Sequence, residues 1–299
     1  MLERVAAALT RWCLRWVPDG YVIAGVLTAV VVGVAIPVTG KGPLEIVKFW
    51  GDGFWGFVPF TLQMAMVILT GYVVAQAPPV RRALVRIAEL PATPRGAIAL
   101  MALVSMSLAW VNWGLSLVGS AILATRIGRR PIGVDYRLLV ATAYLGMGCV
   151  WHAGLSASAP LTSSNPAEDF VRNYLGGPVP ITETLFRPFN LGLAVVVIAV
   201  MLATAVLLHP KGMSGLAPVQ VPEEDPLPPP FGPPKTVAEW LERKPFVNLL
   251  FGAGLLTYLV MFLLEKGVAR VNIGHVNLLF LALGVVLHWS PASFLRAAE

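Results

Sequence analysis

Charged residues are scarce in this sequence of 299 residues: only 13% are Asp, Glu, Lys or Arg, whereas soluble globular domains have about a quarter. Hydrophobic residues make up 57%, and the mean hydropathy is +0.73. This composition excludes an ordinary soluble domain and predicts an integral membrane protein. The net charge of +6 does not indicate a nucleic-acid partner, because the basic residues lie in short loops between apolar runs.

Cysteine is also nearly absent. Cys13 and Cys149 are far apart and lie in apolar surroundings, so the sequence supports neither a disulfide framework nor a cysteine metal site. The sequence contains no phosphate-binding GxxxxGK[ST] loop, no HExxH, no CxxC and no paired carboxylates within an apolar tract. We therefore predict neither an enzyme nor a bound cofactor.

Long apolar tracts dominate the chain. A helix needs roughly 20 apolar residues to cross a bilayer core about 30 Å thick. Seven tracts approach or exceed this length: 20–39, 54–77, 96–125, 138–161, 190–208, 246–264 and 272–289. Segment 1–19 is interrupted by Glu3, Arg4, Arg11 and Arg15, so it is not a cleavable signal and is expected to form an amphipathic helix on the membrane surface.

Loop charge predicts the course of tract 96–125. Loops 78–95 and 126–137 each carry four arginines against one acidic residue, so both are expected on the cytoplasmic side. The tract between them then enters and leaves by the same face, as a re-entrant hairpin with its tip at Asn112-Trp113-Gly114. Its arms would be about 24 Å and about 17 Å long at 1.5 Å per residue, which is too short to cross.

A proline-rich segment divides the chain. Eight prolines between positions 218 and 234 predict an extended cytoplasmic linker, which we place at 218–245. The preceding region, 20–217, forms a first membrane repeat, and 246–299 begins a second. Segments 85–89 and 295–299 share R-x-A-E after an aliphatic residue, and the order of elements repeats as in secondary transporters.

Tract 138–161 is a poor continuous helix. Gly154, Ser156, Ser158 and Pro160 predict a break, which a membrane tolerates only where protein or a water-filled cavity satisfies the backbone. The N-terminus of the half-helix after such a break suits a carboxylate ligand. The alternative is that these small residues only allow helices to pack closely.

Several side chains in tracts 96–125 and 138–161 have both a functional and a structural interpretation. Asn112 could contact a substrate or simply join two helices. Trp110, Trp113 and Trp151 lie well inside their tracts and could line a pocket for an acyl chain or pack in the core. Each alternative remains open.

Ionic coupling also has two candidates. His152 is the one ionisable side chain well inside these two tracts, and histidine can exchange a proton near neutral pH. Ser163, Ser164 and Asn165, together with Thr162, offer oxygens that could coordinate Na⁺, although turn formation ahead of Pro166 explains them equally well.

Several short motifs occur together along the chain. They are Gly51-Asp52-Gly53-Phe54-Trp55, Gln63-Met64, Asn112-Trp113-Gly114, Trp151-x-x-Gly154-x-Ser156-x-Ser158-x-Pro160, and Asn277, Phe280-Leu281, Leu283-Gly284, Leu287-His288 and Pro291. With these motifs the sequence resembles the short-chain fatty acid transporter family of the ion-transporter superfamily over nearly its whole length.

The resemblance implies uptake of short-chain fatty acids such as acetoacetate or butyrate across the bacterial inner membrane, together with a proton. It also implies a homodimer with a scaffold and an elevator-like transport domain. Members of the family are longer, so the second repeat is expected to be cut short at its C-terminal end. In this superfamily the two repeats have opposite orientations in the membrane. The loop charges here place the start of both repeats on the cytoplasmic side. Either one crossing is miscounted or this family differs from the rest of the superfamily.

We therefore predict an all-α polytopic membrane protein with about six transmembrane helices, one re-entrant hairpin and one broken helix. Its predicted function is proton symport of a monocarboxylate. The expected substrate-binding residues are Asn112, Trp113, Gly114, Trp151, Gly154, Ser156 and Ser158, and His152 is expected to carry the proton. The alternatives are a non-transporting fragment or scaffold subunit that needs a second polypeptide, and a carrier of another small carboxylate coupled to Na⁺.

Overall fold

A computed structural model of the protein describes residues 2–209, 221 and 231–298, and this part contains helices and no strands. Six of its helical segments are long and apolar enough to cross a membrane: Gly20–Thr39, Val58–Gln76, Pro94–Val111, Tyr136–Ser163, Pro188–Leu208 and Phe246–Lys266. The predicted all-α polytopic class is confirmed.

Contacts divide the chain into two units, residues 1–62 and 63–299. The first contains α1 (Leu2–Trp16), α2 (Gly20–Thr39) and α3 (Pro43–Gly56), of which α2 and α3 pack together. Asp19 caps α2 by accepting the N–H of Tyr21 at 2.8 Å. Gly40 ends this helix with φ of 68°, a left-handed conformation that glycine adopts without strain.

Helix α4 (Val58–Gln76) crosses the boundary between the two units. Its start lies four residues after that of the predicted tract 54–77, because α3 continues to Gly56 and Pro59 stands in the first turn of α4, where a proline needs no N–H partner. The remaining helices are α5 (Pro78–Glu89), α6 (Pro94–Val111), α7 (Trp113–Gly128), α8 (Tyr136–Ala143), α9 (Ser158–Ser163), α10 (Asp169–Tyr174), α11 (Pro188–Leu208), α12 (Val237–Arg243), α13 (Phe246–Lys266), α14 (Ile273–Leu287) and α15 (Pro291–Ala298).

Helices α6 and α7 form a hairpin that meets at Asn112. The Ser116 hydroxyl on α7 donates to the Ser105 carbonyl of α6 at 2.7 Å, and α5 packs along α7. At 1.5 Å per residue α6 is about 27 Å long and α7 about 24 Å. By length α6 is among the six candidate spans whereas α7 is not, so re-entry of this hairpin into the membrane stays a prediction.

The region after α7 does not form a continuous helix. Helix α8 is followed by a π-helical turn at Gly146–Val150 and a 3₁₀ turn at Trp151–Ala153, and regular structure resumes only at α9. The π-helical turn packs on α6: a Cβ at Gly146 would lie 2.2 Å from the Ser105 carbonyl oxygen. Helix α11 also packs on α6 and contacts the π-helical turn.

Of the predicted linker 218–245, residues 218–220 and 222–230 lie outside the described part of the chain. After the prolines the structure forms α12, which contacts α15. The predicted boundaries of the linker and the two repeats stay predictions.

Helix α14 packs on α13 and on α4. The Asn248 amide of α13 donates to the Val285 carbonyl at 2.9 Å. Asn277 donates to the Gln63 carbonyl at 2.9 Å, and His288 Nε2 lies 2.8 Å from the Val73 carbonyl. Residue numbers rise along both helices between these two contacts, so α4 and α14 run in the same direction. At 15 residues, α14 is shorter than the predicted tract 272–289 and is not among the six candidate spans.

Candidate functional site

Asn112 ends one helix of the hairpin and begins the other. Its backbone is extended, with φ −158° and ψ 122°. Its N–H donates to the Leu108 carbonyl at 2.7 Å as the last bond of α6, and its Oδ1 accepts the N–H of Leu115 at 2.9 Å as the N-cap of α7. A short amide side chain is among the best N-caps, which is why the helix can restart directly after the extended residue.

The hairpin tip is joined to the break before α9. The N–H of Trp113 donates to Ser156 Oγ at 3.0 Å, and the N–H of Leu155 donates to the Trp110 carbonyl at 2.7 Å. A Cβ at Gly154 would lie 2.1 Å from that same carbonyl oxygen, so only glycine fits there. The structure therefore brings together two regions that the sequence analysis singled out separately.

Helix α4 covers the tip through two glycines. A Cβ at Gly71 would lie 2.5 Å from Asn112 Oδ1 and 2.5 Å from the Leu115 nitrogen, and a Cβ at Gly114 would lie 2.7 Å from the Val67 carbonyl oxygen. Gly114 was among the predicted site residues, but Gly71 was not. In the sequence, Gly71 is only a glycine in the middle of an apolar tract, which does not by itself indicate a contact with the hairpin tip.

Two N–H donors at the tip are buried without a hydrogen-bond partner. Asn112 is fully buried and Trp113 is 8% exposed. Neither Asn112 Nδ2 nor Trp113 Nε1 has an acceptor within the described residues. A buried polar group left unpaired costs about 1–3 kcal/mol, so a ligand that brought acceptor oxygens to these atoms would be stabilised.

The other predicted substrate-binding residues take different positions. Ser156 is fully buried and its oxygen already accepts the Trp113 N–H. Trp151 is half-buried and packs against the apolar cluster that contains Trp113. Ser158 is half-buried and is the first residue of α9.

His152 lies in the 3₁₀ turn just before the break. Its side chain is exposed, and its ring stands edge-on to that of Trp151 with 6.3 Å between the centroids. Asn190 holds this turn, since its amide donates to the Ala153 carbonyl at 3.0 Å and to the Leu185 carbonyl at 2.8 Å. Asn190 begins an apolar tract in the sequence, where an asparagine is typical of a helix end, so no local pattern indicated this contact.

The predicted alternative ion ligands mainly stabilise local turns. The Ser164 hydroxyl lies 2.8 Å from the Leu161 carbonyl and 3.1 Å from the Val271 carbonyl. Asn165 Oδ1 accepts the Ala167 N–H at 3.2 Å, and the Ser163 carbonyl accepts the Val179 N–H at 2.9 Å. Thr162 Oγ1 is buried without a hydrogen-bond partner within the described residues, so a Na⁺ site at this turn stays a prediction.

The described residues contain no group of three or more His, Cys, Asp or Glu side chains that could hold a metal ion. The chemistry of the tip therefore rests on neutral N–H donors and apolar walls. Such a site can hold a small anion by hydrogen bonds.

Comparison with known proteins gives consistent matches. A family model described as "Short chain fatty acid transporter" matches residues 1–299. A protein of Escherichia coli (strain K12) named "Putative short-chain fatty acid transporter" is 33% identical over 299 residues, which cover 99% of this chain and 67% of that protein. A protein of Haemophilus influenzae with the same name is 30% identical over 304 residues, which cover 99% of this chain and 68% of that protein. No solved structure matches.

Proposed function

The chain belongs to the short chain fatty acid transporter family, and from this we propose that it carries short-chain fatty acids such as acetoacetate or butyrate across the inner membrane as a proton symporter. Its multi-pass helical architecture suits such a carrier. Substrate sites in secondary transporters are typically formed by discontinuous helices, of the kind found from α8 to α9.

The observation that carries this proposal is the pair of buried, unpartnered donors at the tip. Asn112 Nδ2 and Trp113 Nε1 each need an acceptor, and a carboxylate has two oxygens that can accept several hydrogen bonds. Hydrogen bonds to a charged group contribute about 1.5–3 kcal/mol, more than those between neutral groups. We assign carboxylate recognition to these two residues.

The break before α9 fixes the position of the hairpin tip. Ser156 Oγ holds the first N–H of α7, and Gly154 lets the chain approach Trp110. Ser158 and the backbone at the start of α9 are half-buried and remain candidates for contact with the carboxylate. Trp113 and Trp151 share one apolar cluster, which we propose as the wall that faces the acyl chain.

We assign proton coupling to His152. Its exposed ring lies in the turn next to the break, so it can exchange a proton with water while staying close to the proposed site. A sodium-coupled carrier of another carboxylate is the alternative. Ser164 and Asn165 already use their side-chain oxygens in local contacts, whereas the Thr162 hydroxyl of the same turn is buried without a partner within the described residues.

A second candidate function is a subunit or segment that transports only with further polypeptide. The matched region covers 67% and 68% of the two relatives, which is the observation in its favour. Reconstitution of the 299-residue chain alone separates the two candidates.

Counterflow in proteoliposomes tests the proposal. A protonated short-chain acid crosses lipid unaided, so accumulation under a pH gradient alone does not identify a carrier. Vesicles preloaded with unlabelled butyrate and diluted into labelled butyrate at equal pH should take up label transiently when they contain the protein, and faster than protein-free vesicles. Equal rates in the two preparations would contradict transport by this chain.

A further inference from the structure

Gln63 and Asn277 meet between α4 and α14, and their chain neighbours Met64 and Val276 belong to the same apolar cluster as Trp113. Asn277 Nδ2 donates to the backbone carbonyl of Gln63 at 2.9 Å, across 214 residues of sequence. Both residues belong to the motifs found in the sequence analysis, and neither has a role in the proposed function.

The side-chain oxygens of this pair are buried without a donor. Asn277 is 7% exposed, and neither Gln63 Oε1 nor Asn277 Oδ1 has a hydrogen-bond partner within the described residues. The oxygen and nitrogen of one amide lie about 2.2 Å apart, so Asn277 Oδ1 is within about 5 Å of the Gln63 carbonyl oxygen. Two acceptor oxygens, Asn277 Oδ1 and the Gln63 backbone oxygen, thus lie close together, and Gln63 adds a third on its own buried, unpartnered side-chain atom.

We propose that Gln63 and Asn277 bind a small monovalent cation such as Na⁺ through their side-chain oxygens. Amide and carbonyl oxygens can replace the hydration shell of such an ion, as they do in ion-conducting proteins. The Gln63 backbone oxygen, which has a second lone pair, and water would complete the coordination.

The surroundings exclude a divalent cation. Neither α4 nor α14 contains an Asp or Glu, and Met64, Ile273, Val276 and Phe280, which lie near the pair on these two helices, belong to one buried apolar cluster. Mg²⁺ and Ca²⁺ are normally held by carboxylates, and a double charge buried among neutral groups would be strongly disfavoured. A monovalent ion carries half that charge, so its burial among neutral oxygens needs far less compensation by charged ligands.

Binding of Na⁺ to the full chain tests this assignment, and the measurement does not depend on transport. The purified 299-residue protein in detergent is unfolded thermally in NaCl, KCl or choline chloride at equal ionic strength. The midpoint should rise with NaCl in a saturable manner and should not rise with choline chloride. Equal midpoints in NaCl and choline chloride would overturn the proposal.

Two substitutions at Gln63 separate a cation from a buried water molecule. Gln63→Met removes the oxygen at nearly constant volume and should abolish the Na⁺-dependent rise. Gln63→Glu supplies a charged oxygen and should lower the half-saturating Na⁺ concentration by about tenfold, which corresponds to about 1.4 kcal/mol. If Gln63→Glu lowers the midpoint in every salt and gains no Na⁺ dependence, the pair holds only water and the proposal is wrong.

Asn248 provides the matched control. It is also a buried asparagine, 6% exposed, whose amide donates to a backbone carbonyl, that of Val285. Asn248→Leu should lower the midpoint in all salts and leave the Na⁺-dependent increment unchanged. Loss of that increment in Asn248→Leu would mean that the Na⁺ effect does not report on Gln63 and Asn277, and would overturn the assignment.

Discussion

The backbone N–H of Trp113 donates to the side-chain oxygen of Ser156 at 3.0 Å, across 43 residues of sequence. This bond, with the one from Leu155 to the Trp110 carbonyl, fixes the hairpin tip against the break before α9. One backbone N–H in the first turn of α7 therefore needs an acceptor from another segment of the chain. A change at the break is transmitted directly to the tip.

Ser156→Ala should destabilise the protein by about 1–3 kcal/mol, because it leaves the buried N–H of Trp113 without an acceptor. The measurement is the denaturation midpoint of purified protein in detergent. Ser158→Ala is the control, since Ser158 is half-buried at the start of α9 and its replacement should change stability by only about 0.5 kcal/mol or less. Equal midpoints for the two variants would contradict a stabilising role of Ser156.

Asn112→Asp separates the capping role of Asn112 from its proposed contact with substrate. The substitution keeps an oxygen that can cap Leu115 but removes the Nδ2 donor and adds negative charge. We expect butyrate counterflow to fall by about tenfold or more, the loss of about 1.4 kcal/mol or more of binding.

The control for Asn112→Asp is the helix content of the variant, measured by far-ultraviolet circular dichroism. It should match that of the parent protein, since the cap is retained. Undiminished butyrate counterflow in a correctly folded Asn112→Asp protein would remove Asn112 from the substrate site.

Local patterns in the sequence predicted the long apolar helices and the break, because both depend on nearby residues, but not the shorter α3, α10 and α12. The run 20–39 has no charged side chain and forms α2 over the same residues. Gly154 and Ser156 lie in the non-helical stretch 154–157 within tract 138–161, as expected of such residues, whereas Ser158 and Pro160 stand in α9. Asn112 divides α6 from α7 for the same reason, since its side chain competes for a backbone N–H.

Contacts between distant segments could not be predicted in this way. The bond between Asn277 and Gln63 and the packing of Gly71 on Asn112 depend on how helices are arranged, and neither leaves a periodic pattern in the sequence. A glycine or asparagine in an apolar tract has the same local signature whether it packs on a neighbouring helix or faces lipid. Only the structure distinguishes Gly71 from Gly192, around which a Cβ would meet nothing within 4 Å.

Gly71→Ala should disrupt the hairpin tip. Its Cβ would lie 2.5 Å from the Leu115 backbone nitrogen, which cannot move aside as a flexible side chain can. Overpacking of this kind costs about 1–3 kcal/mol or more, and we expect both the unfolding midpoint and butyrate counterflow to fall. Gly192→Ala in α11 is the matched control and should stabilise the helix by about 0.5–1 kcal/mol. If Gly71→Ala is as stable as Gly192→Ala, α4 does not cover the tip as described.

His152→Gln tests proton coupling separately from substrate binding. Glutamine keeps polar character at this exposed position but cannot carry a proton, so counterflow at equal pH should persist while the stimulation by acidic external pH should disappear. The measurement compares protein-dependent uptake with and without an inward proton gradient, after subtraction of uptake by protein-free vesicles. Because the side chain is exposed, stability should change by only about 0.5 kcal/mol or less. Gradient-stimulated transport that survives in His152→Gln would exclude His152 as the proton carrier and direct attention to the Na⁺-coupled alternative.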